Sequence, residues 1–143
     1  MKKLLLYNTL RKTALVLLFI VSMNALAAGF SFMVTPTGAD IGISTDYLKP
    51  SAPFSNFFIP GIVLFVVIGV FSCLVGIGTL LKVTHYPLLV MMQGSLLMGW
   101  IAVPLTMVTA YHTLHLIIAI IGAVLLVIGW MLHKQKENMQ AAF

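Results

Sequence analysis

Three long apolar segments, the last about twice the length of the others, alternate with short polar ones along the chain. The first two, residues 13–33 and 58–81, contain no charged side chain. Residues 83–132 also contain no Asp, Glu, Lys or Arg. This third segment is long enough for two helices of the ~20 residues that cross a bilayer. The pattern therefore predicts an all-α protein, a transmembrane four-helix bundle formed by a single membrane domain, residues 1–143.

The long third segment divides where its polar residues cluster. Tyr111, His112, Thr113 and His115 form its most polar stretch, so we place a turn at 109–113. The third and fourth spans are then residues 86–108 and 113–132. Residues 34–57, between the first two spans, contain prolines, glycines and both aspartates of the chain, and they predict one structured loop.

Composition excludes a soluble globular domain. The chain is 61% hydrophobic and only 8% charged, with a mean hydropathy of +1.10, whereas soluble domains are about a quarter charged. The formal net charge of +5 does not indicate a nucleic-acid partner, because the basic residues flank apolar segments and form no basic face. The partner that composition predicts is the lipid bilayer.

The basic residues predict the orientation. With four spans, only Lys49 falls on the side of the loop 34–57, and seven basic residues fall on the other side: Lys2, Lys3, Arg11, Lys12, Lys82, Lys134 and Lys136. Cytoplasmic segments of membrane proteins carry an excess of Lys and Arg. We therefore expect a multi-pass protein of the cell inner (plasma) membrane, with both termini in the cytoplasm and the loop 34–57 outside.

The first span has an alternative interpretation. Residues 1–27 combine a basic start, an apolar stretch and the sequence Ala25-Leu26-Ala27, as in a cleavable secretory signal peptide. Cleavage would leave three spans. The apolar character continues through residues 29–33, which favours a helix that is retained, but the residues alone leave the choice open.

Small and uncharged polar residues within the spans predict helix packing. Interfaces in a bilayer rely on small residues spaced four apart, and each span has such a pair: Ala25/Gly29, Ser72/Gly76, Ser95/Gly99 and Ala119/Ala123. Gly122 and Gly129 continue one face of the fourth helix. Asn24 and Gln93 are amides inside spans. We expect each to hydrogen-bond a neighbouring helix, and the alternative is that it contacts a substrate.

Candidate chemistry is sparse. No span contains Asp, Glu, Lys or Arg, which argues against an ion-coupled carrier, and no nucleotide, zinc-protease or hydrolase motif occurs. The single cysteine, Cys73, excludes an intrachain disulfide. The sequence predicts a non-enzyme without catalytic residues, cofactor or metal.

One cluster on the predicted outer side is open to a different interpretation. His112 and His115 are three residues apart and lie near Asp40 and Asp46 of the loop, so they are speculative outer-face contacts. Two imidazoles with carboxylate neighbours are able to hold a transition metal, and one is able to ligate haem. The simpler interpretation is that these histidines are solvated at the membrane surface, because the spacing specifies no third ligand.

The loop and the second span carry a recognisable pattern. It consists of Pro36-Thr37-Gly38, Ile41-Gly42-Ile43 and Ser51-x-Pro53-Phe54-x-x-Phe57-x-Ile59-Pro60-Gly61, followed by Trp100-Ile101 in the third span. This pattern resembles that of a family of small uncharacterised bacterial four-helix integral membrane proteins, although Ala52 interrupts the Ser-Pro-Phe string. The resemblance covers about residues 29–101. It implies four helices with a retained first span, and it implies no activity.

Three functions follow as hypotheses. The first is a non-enzymatic membrane protein that acts by association with another membrane component, with another membrane protein or with itself as a homo-oligomer. The second is an outer-face metal or haem redox protein that uses His112 and His115. The third is a carrier or pore for small neutral solutes.

Overall fold

The computed structural model describes residues 1–109 and 113–141. Four helices are long and apolar enough to cross a membrane: α1 (Lys2–Val34), α2 (Phe58–Leu80), α3 (Tyr86–Met107) and α4 (Thr113–Gln140). The described residues form no β-sheet, only an isolated bridge between Leu48 and Val108. The prediction of an all-α protein with four potential spans is confirmed.

The helix bounds agree closely with the predicted spans, except at the two ends of the chain. α1 begins at Lys2 and α4 continues to Gln140, so the basic flanks are helical as well. These flanks contain neither Pro nor Gly, and Leu, Lys and Gln favour helix. Residues 110–112, where most of the predicted turn falls, lie outside the described residues.

The middle of α2 departs from α-helical geometry. Residues Leu64–Val70 form a π-helix between the α-helical segments Phe58–Val63 and Phe71–Leu80. A π-helix bonds each carbonyl to an N–H five residues on, and such segments are rare and often occur at functional sites.

Glycines bring α1 and α2 into backbone contact. A Cβ atom at Gly29 would lie 2.7 Å from the Phe65 nitrogen and 2.8 Å from the Gly61 oxygen. A Cβ at Gly61 would lie 2.6 Å from the Phe32 Cβ. Real Cβ atoms do not approach other atoms so closely, so both positions require glycine. The predicted role of Ala25 and Gly29 in packing agrees with this contact, since both are buried.

Glycines also bring α3 and α4 together, but one predicted pair is wrong. The glycine of α3 in contact is Gly94, which lies against Gly122 of α4, and Gly129 of α4 lies against Met91 and Pro87 of α3. Ser95 and Gly99 are exposed, and no atom lies within 4 Å of a Cβ built at Gly99. One position along a helix turns the side chain by about 100°, so an error of one residue selects the wrong face.

The bundle has two distinct ends. At one end, two hydrogen bonds connect α1, α4 and the residues between α2 and α3. The Tyr86 hydroxyl donates to the Tyr7 hydroxyl of α1 at 2.6 Å, and Lys136 Nζ of α4 donates to the Thr84 oxygen in the turn at residues 81–85. We call this the terminal end. The opposite end carries residues 35–57 and is called the loop end. The common core includes Ala14, Leu18, Val75, Val90 and Leu125.

The position of α1 leads to a prediction about processing. Cleavage after Ala27 would remove the core residues Ala14, Leu18, Val21 and Ala25, and it would also remove Leu26, which packs on Gly69 of α2. We therefore expect the mature protein to retain residues 1–27. N-terminal sequencing or the intact mass of the purified protein tests this, and a chain that begins at Ala28 would contradict it.

Candidate functional site

The loop end is closed by an ordered loop. Its residues form two 3-10 turns, Ala39–Ile41 and Thr45–Tyr47. Ser44 caps the second turn, since its Oγ accepts from the Asp46 N–H at 3.1 Å. Asn56 Oδ1 accepts from the Phe58 N–H at 3.0 Å and so fixes the start of α2.

The loop is fastened to the end of α3. The Lys49 N–H donates to the Met107 oxygen at 2.7 Å, and the Thr109 N–H donates to the Tyr47 oxygen at 2.9 Å. Lys49 Nζ also donates to the Leu105 oxygen at 2.9 Å. The last carbonyls of a helix lack intrahelical partners and carry partial negative charge. The only lysine of the loop therefore caps α3 instead of pointing into solvent.

A ring contact joins the loop to α1. The Phe57 ring packs on the Phe32 ring of α1 with 5.1 Å between centroids. Within the loop, the Phe57 N–H donates to the Pro36 oxygen at 2.9 Å. Phe57 is only 6% exposed, so this aromatic residue is part of the protein interior.

Beneath the loop lies a cavity of about 550 Å³. Phe32, Leu64, Trp100 and Ile118 line it from α1, α2, α3 and α4 in turn, and the loop contributes residues 41–43, Tyr47 and Phe57. Its volume is within the range of roughly 300–1,000 Å³ that is usual for ligand-binding pockets. All four helices and the loop contribute to its lining, and the cavity is partly open to the protein surface.

The chemistry of the lining is apolar. Among the described residues, only Tyr47, Trp100 and His115 place side chains with nitrogen or oxygen atoms along the cavity. The other lining residues are aliphatic or aromatic, apart from Gly42, two prolines and Met107. No Asp, Glu, Lys or Arg of the described chain lines it. A charged ligand would find no counter-charge there, so the cavity suits an uncharged, lipophilic molecule.

The predicted outer-face contacts occupy different places. His115 lines the cavity and is half-buried, and His112 lies outside the described residues. Asp40 accepts from Thr35 Oγ1, and Asp46 accepts from Ser44 Oγ at 2.9 Å, so both aspartates hold local turns of the loop. Within residues 1–109 and 113–141, no three His, Cys, Asp or Glu side chains are grouped as metal ligands. The metal hypothesis stays a prediction.

The two intramembrane amides have different roles. Gln93 is fully buried, and its Nε2 donates to Ser72 Oγ at 2.6 Å, with the Ile68 oxygen at 3.4 Å. Ser72 and Ile68 belong to α2, so Gln93 connects two helices as expected. For Asn24 the expectation is wrong: the residue is exposed, and its Nδ2 donates to the Ile20 oxygen of its own helix at 2.8 Å. An amide on the lipid-facing side has no neighbouring helix within reach.

The π-helix of α2 is central to this polar contact. The Ser22 Oγ of α1 donates to the Gly69 oxygen at 3.0 Å, and Gln93 of α3 approaches the Ile68 oxygen from the other side. Side chains of two neighbouring helices thus meet carbonyls within the π-helical segment. We call Ser22, Ser72 and Gln93 the polar cluster. Sequence reasoning missed the π-helix, because the groups that satisfy its carbonyls come from other helices.

Comparison with known proteins adds no relative: the chain matches no family model, no curated protein and no solved structure. The resemblance of residues 29–101 to a family of small four-helix membrane proteins stays a prediction. The function must therefore be argued from the cavity itself.

Proposed function

We propose that this protein is a non-enzymatic membrane protein that binds an uncharged lipophilic molecule in the cavity at its loop end. The observation that supports this proposal is a partly open cavity of about 550 Å³, lined by all four helices and by the loop, with no Asp, Glu, Lys or Arg among its described lining residues. In this proposal the protein acts by associating with another component of the membrane, and that component is a small molecule dissolved in the bilayer.

The polar side chains of the lining narrow the class of ligand. Tyr47, Trp100 and His115 offer a hydroxyl, an indole and an imidazole among apolar neighbours. In an apolar pocket, a small number of polar groups fixes the orientation of the ligand and does not supply most of its affinity. A long-chain alcohol, a neutral lipid or a lipid-soluble ring with one oxygen fits this description, whereas a sugar, nucleotide or free amino acid does not.

The placement of charge supports an inner-membrane location with the termini in the cytoplasm. The terminal end carries the basic residues of both chain ends and Lys82 of the turn. The cationic Lys49 of the loop end is engaged by the carbonyls of α3. By the positive-inside rule the terminal end is cytoplasmic. The cavity then lies near the outer face of the membrane.

Photo-crosslinking tests the binding proposal. The full-length protein is reconstituted in phosphatidylcholine liposomes that contain a long-chain alcohol bearing a diazirine, and labelled peptides are identified by mass spectrometry. We expect labelling concentrated in residues 100–108, which include six lining residues, and competition by the unlabelled alcohol. Labelling spread evenly over lipid-facing helix surfaces would overturn the proposal.

A matched pair of variants sharpens the test. Val103→Trp places an indole in the cavity, whereas Val66→Trp adds the same volume to α2 at a residue that is 51% exposed and does not line the cavity. We expect Val103→Trp to weaken competition by the alcohol roughly tenfold or more, and Val66→Trp to leave it unchanged. Both variants are compared only after thermal unfolding shows that they are folded. Equal behaviour of the two would contradict a site in the cavity.

A further inference from the structure

The terminal end contains a half-buried cation, Arg11, two of whose donor atoms are buried and have no partner among the described residues. Arg11 follows Tyr7 by four residues and precedes Ala14 and Leu18 by three and seven, so it shares their helix face. That face packs into the bundle, since Ala14 and Leu18 are 0% exposed. Among residues 1–109 and 113–141, Arg11 Nε and Nη1 are buried without a hydrogen-bond partner. Charged donors in this position are costly, so the guanidinium requires an acceptor.

The chain offers no acidic side chain for this role. It contains three acidic residues, and two of them, Asp40 and Asp46, belong to the loop at the opposite end. The third, Glu137, forms an ion pair with His133 Nε2 at 3.3 Å on its own helix. Among residues 1–109 and 113–141, no acidic side chain pairs with the Arg11 guanidinium.

The surroundings of Arg11 are suited to an anion. The guanidinium interacts electrostatically with the Tyr86 hydroxyl, which donates to the Tyr7 hydroxyl. The same end is basic through Lys12, Lys82, Lys134 and Lys136. Arg11 as a residue is half-buried, so part of its side chain reaches the protein surface, although Nε and Nη1 themselves are buried.

We infer that Arg11 is the centre of a phosphate-binding site at the terminal end of the bundle. The guanidinium carries five N–H donors in a fork that matches the oxygens of phosphate. Basic pockets between helices at the cytoplasmic side of a membrane bind the phosphates of anionic lipid headgroups. The phosphate comes either from such a lipid or from free phosphate, and the same site chemistry serves both. This site is separate from the cavity and does not depend on its ligand.

Thermal unfolding and native mass spectrometry of the full-length protein in a mild non-ionic detergent test this site. The probes are phosphatidylglycerol, phosphatidylcholine and inorganic phosphate, each added alone. A ligand that binds only the folded state raises the unfolding temperature. We expect phosphatidylglycerol to raise it by about 4 °C and to remain bound in the mass spectrum, and phosphatidylcholine to have a much smaller effect.

Two variants separate a site from diffuse surface charge. Arg11→Gln and the neighbouring Lys12→Gln each remove one positive charge, but Lys12 is exposed. We expect Arg11→Gln to weaken phosphatidylglycerol binding about tenfold and Lys12→Gln to leave it close to that of the wild type. If inorganic phosphate stabilises the wild type and phosphatidylglycerol does not, the site stands and its ligand is free phosphate.

Other outcomes would overturn the proposal. Equal binding by the wild type and Arg11→Gln, or equal losses in Arg11→Gln and Lys12→Gln, would show that Arg11 has no special role. Absence of any response to the anionic probes would do the same. Should Arg11→Gln not fold, Arg11→Lys keeps the charge without the planar fork. Its response to phosphatidylglycerol must then be weaker than that of the wild type, and an equal response rejects the site.

Discussion

Replacing Gly94 by alanine is expected to lower the free energy of unfolding by about 3 kcal/mol, at the upper end of the usual cost of overpacking. A Cβ at this position would lie 2.6 Å from the Leu126 nitrogen and 2.7 Å from the Gly122 oxygen. Both are backbone atoms of α4, so no change of rotamer relieves the overlap. The two helices must move apart, and the dispersion contacts along the interface weaken together.

Gly99→Ala is the matched control for this change. It lies on the same helix, and its added Cβ meets no atom within 4 Å. We expect the free energy of unfolding to stay unchanged or to rise by up to about 1 kcal/mol, because alanine favours helix over glycine. Unfolding by a denaturing detergent in mixed micelles measures both variants. Similar losses at the two positions would contradict the packing of α3 on α4 described above.

Gln93→Leu is expected to lower the free energy of unfolding by about 1–2 kcal/mol. Leucine has a similar volume but donates no hydrogen bond, so the Ile68 oxygen of the π-helix and Ser72 Oγ lose the Gln93 Nε2 donor. No water in the hydrocarbon region replaces that donor. The buried Gln93 Oε1, which lacks a partner among the described residues, is removed at the same time, and this gain keeps the expected loss moderate.

Asn24→Leu serves as the control, because it removes the other amide of the spans. Asn24 is exposed and bonds only the Ile20 oxygen of its own helix among the contacts of the described residues. On the lipid-facing side a leucine is at least as favourable as an amide. We expect the free energy of unfolding to change by less than about 0.5 kcal/mol or to increase. A larger loss for Asn24→Leu than for Gln93→Leu would show that the polar cluster does not join the helices.

Much of the architecture was predictable because length and charge act over whole segments. A cluster of polar residues divides one uncharged run into two predicted spans, residues 86–108 and 113–132. The helices Tyr86–Met107 and Thr113–Gln140 begin at the residues where these spans begin. Pro60 and Pro87 lie near the first turns of their helices, where proline is tolerated. These signals do not depend on how the helices face one another.

The face that each helix buries was less predictable. In α3 apolar residues occupy all sides, and lipid is as apolar as a protein interior, so no stripe identifies the packed face. The choice between Gly94 and Gly99 therefore required the structure. The cavity was not predictable for a related reason: Phe32, Leu64, Trp100 and Ile118 are far apart in sequence, and each alone is typical of a lipid-facing or a packed residue.

The glycine contacts described earlier have a consequence for how the protein assembles. They join α1 to α2 and α3 to α4, helices that follow one another in the chain. Each hairpin is able to close as soon as its second helix has entered the bilayer, because the contacts need no segment synthesised later. The Gln93–Ser72 contact and the Tyr7–Tyr86 contact form only when the two hairpins meet. The cavity, which needs all four helices, is therefore the last part of the molecule to be completed.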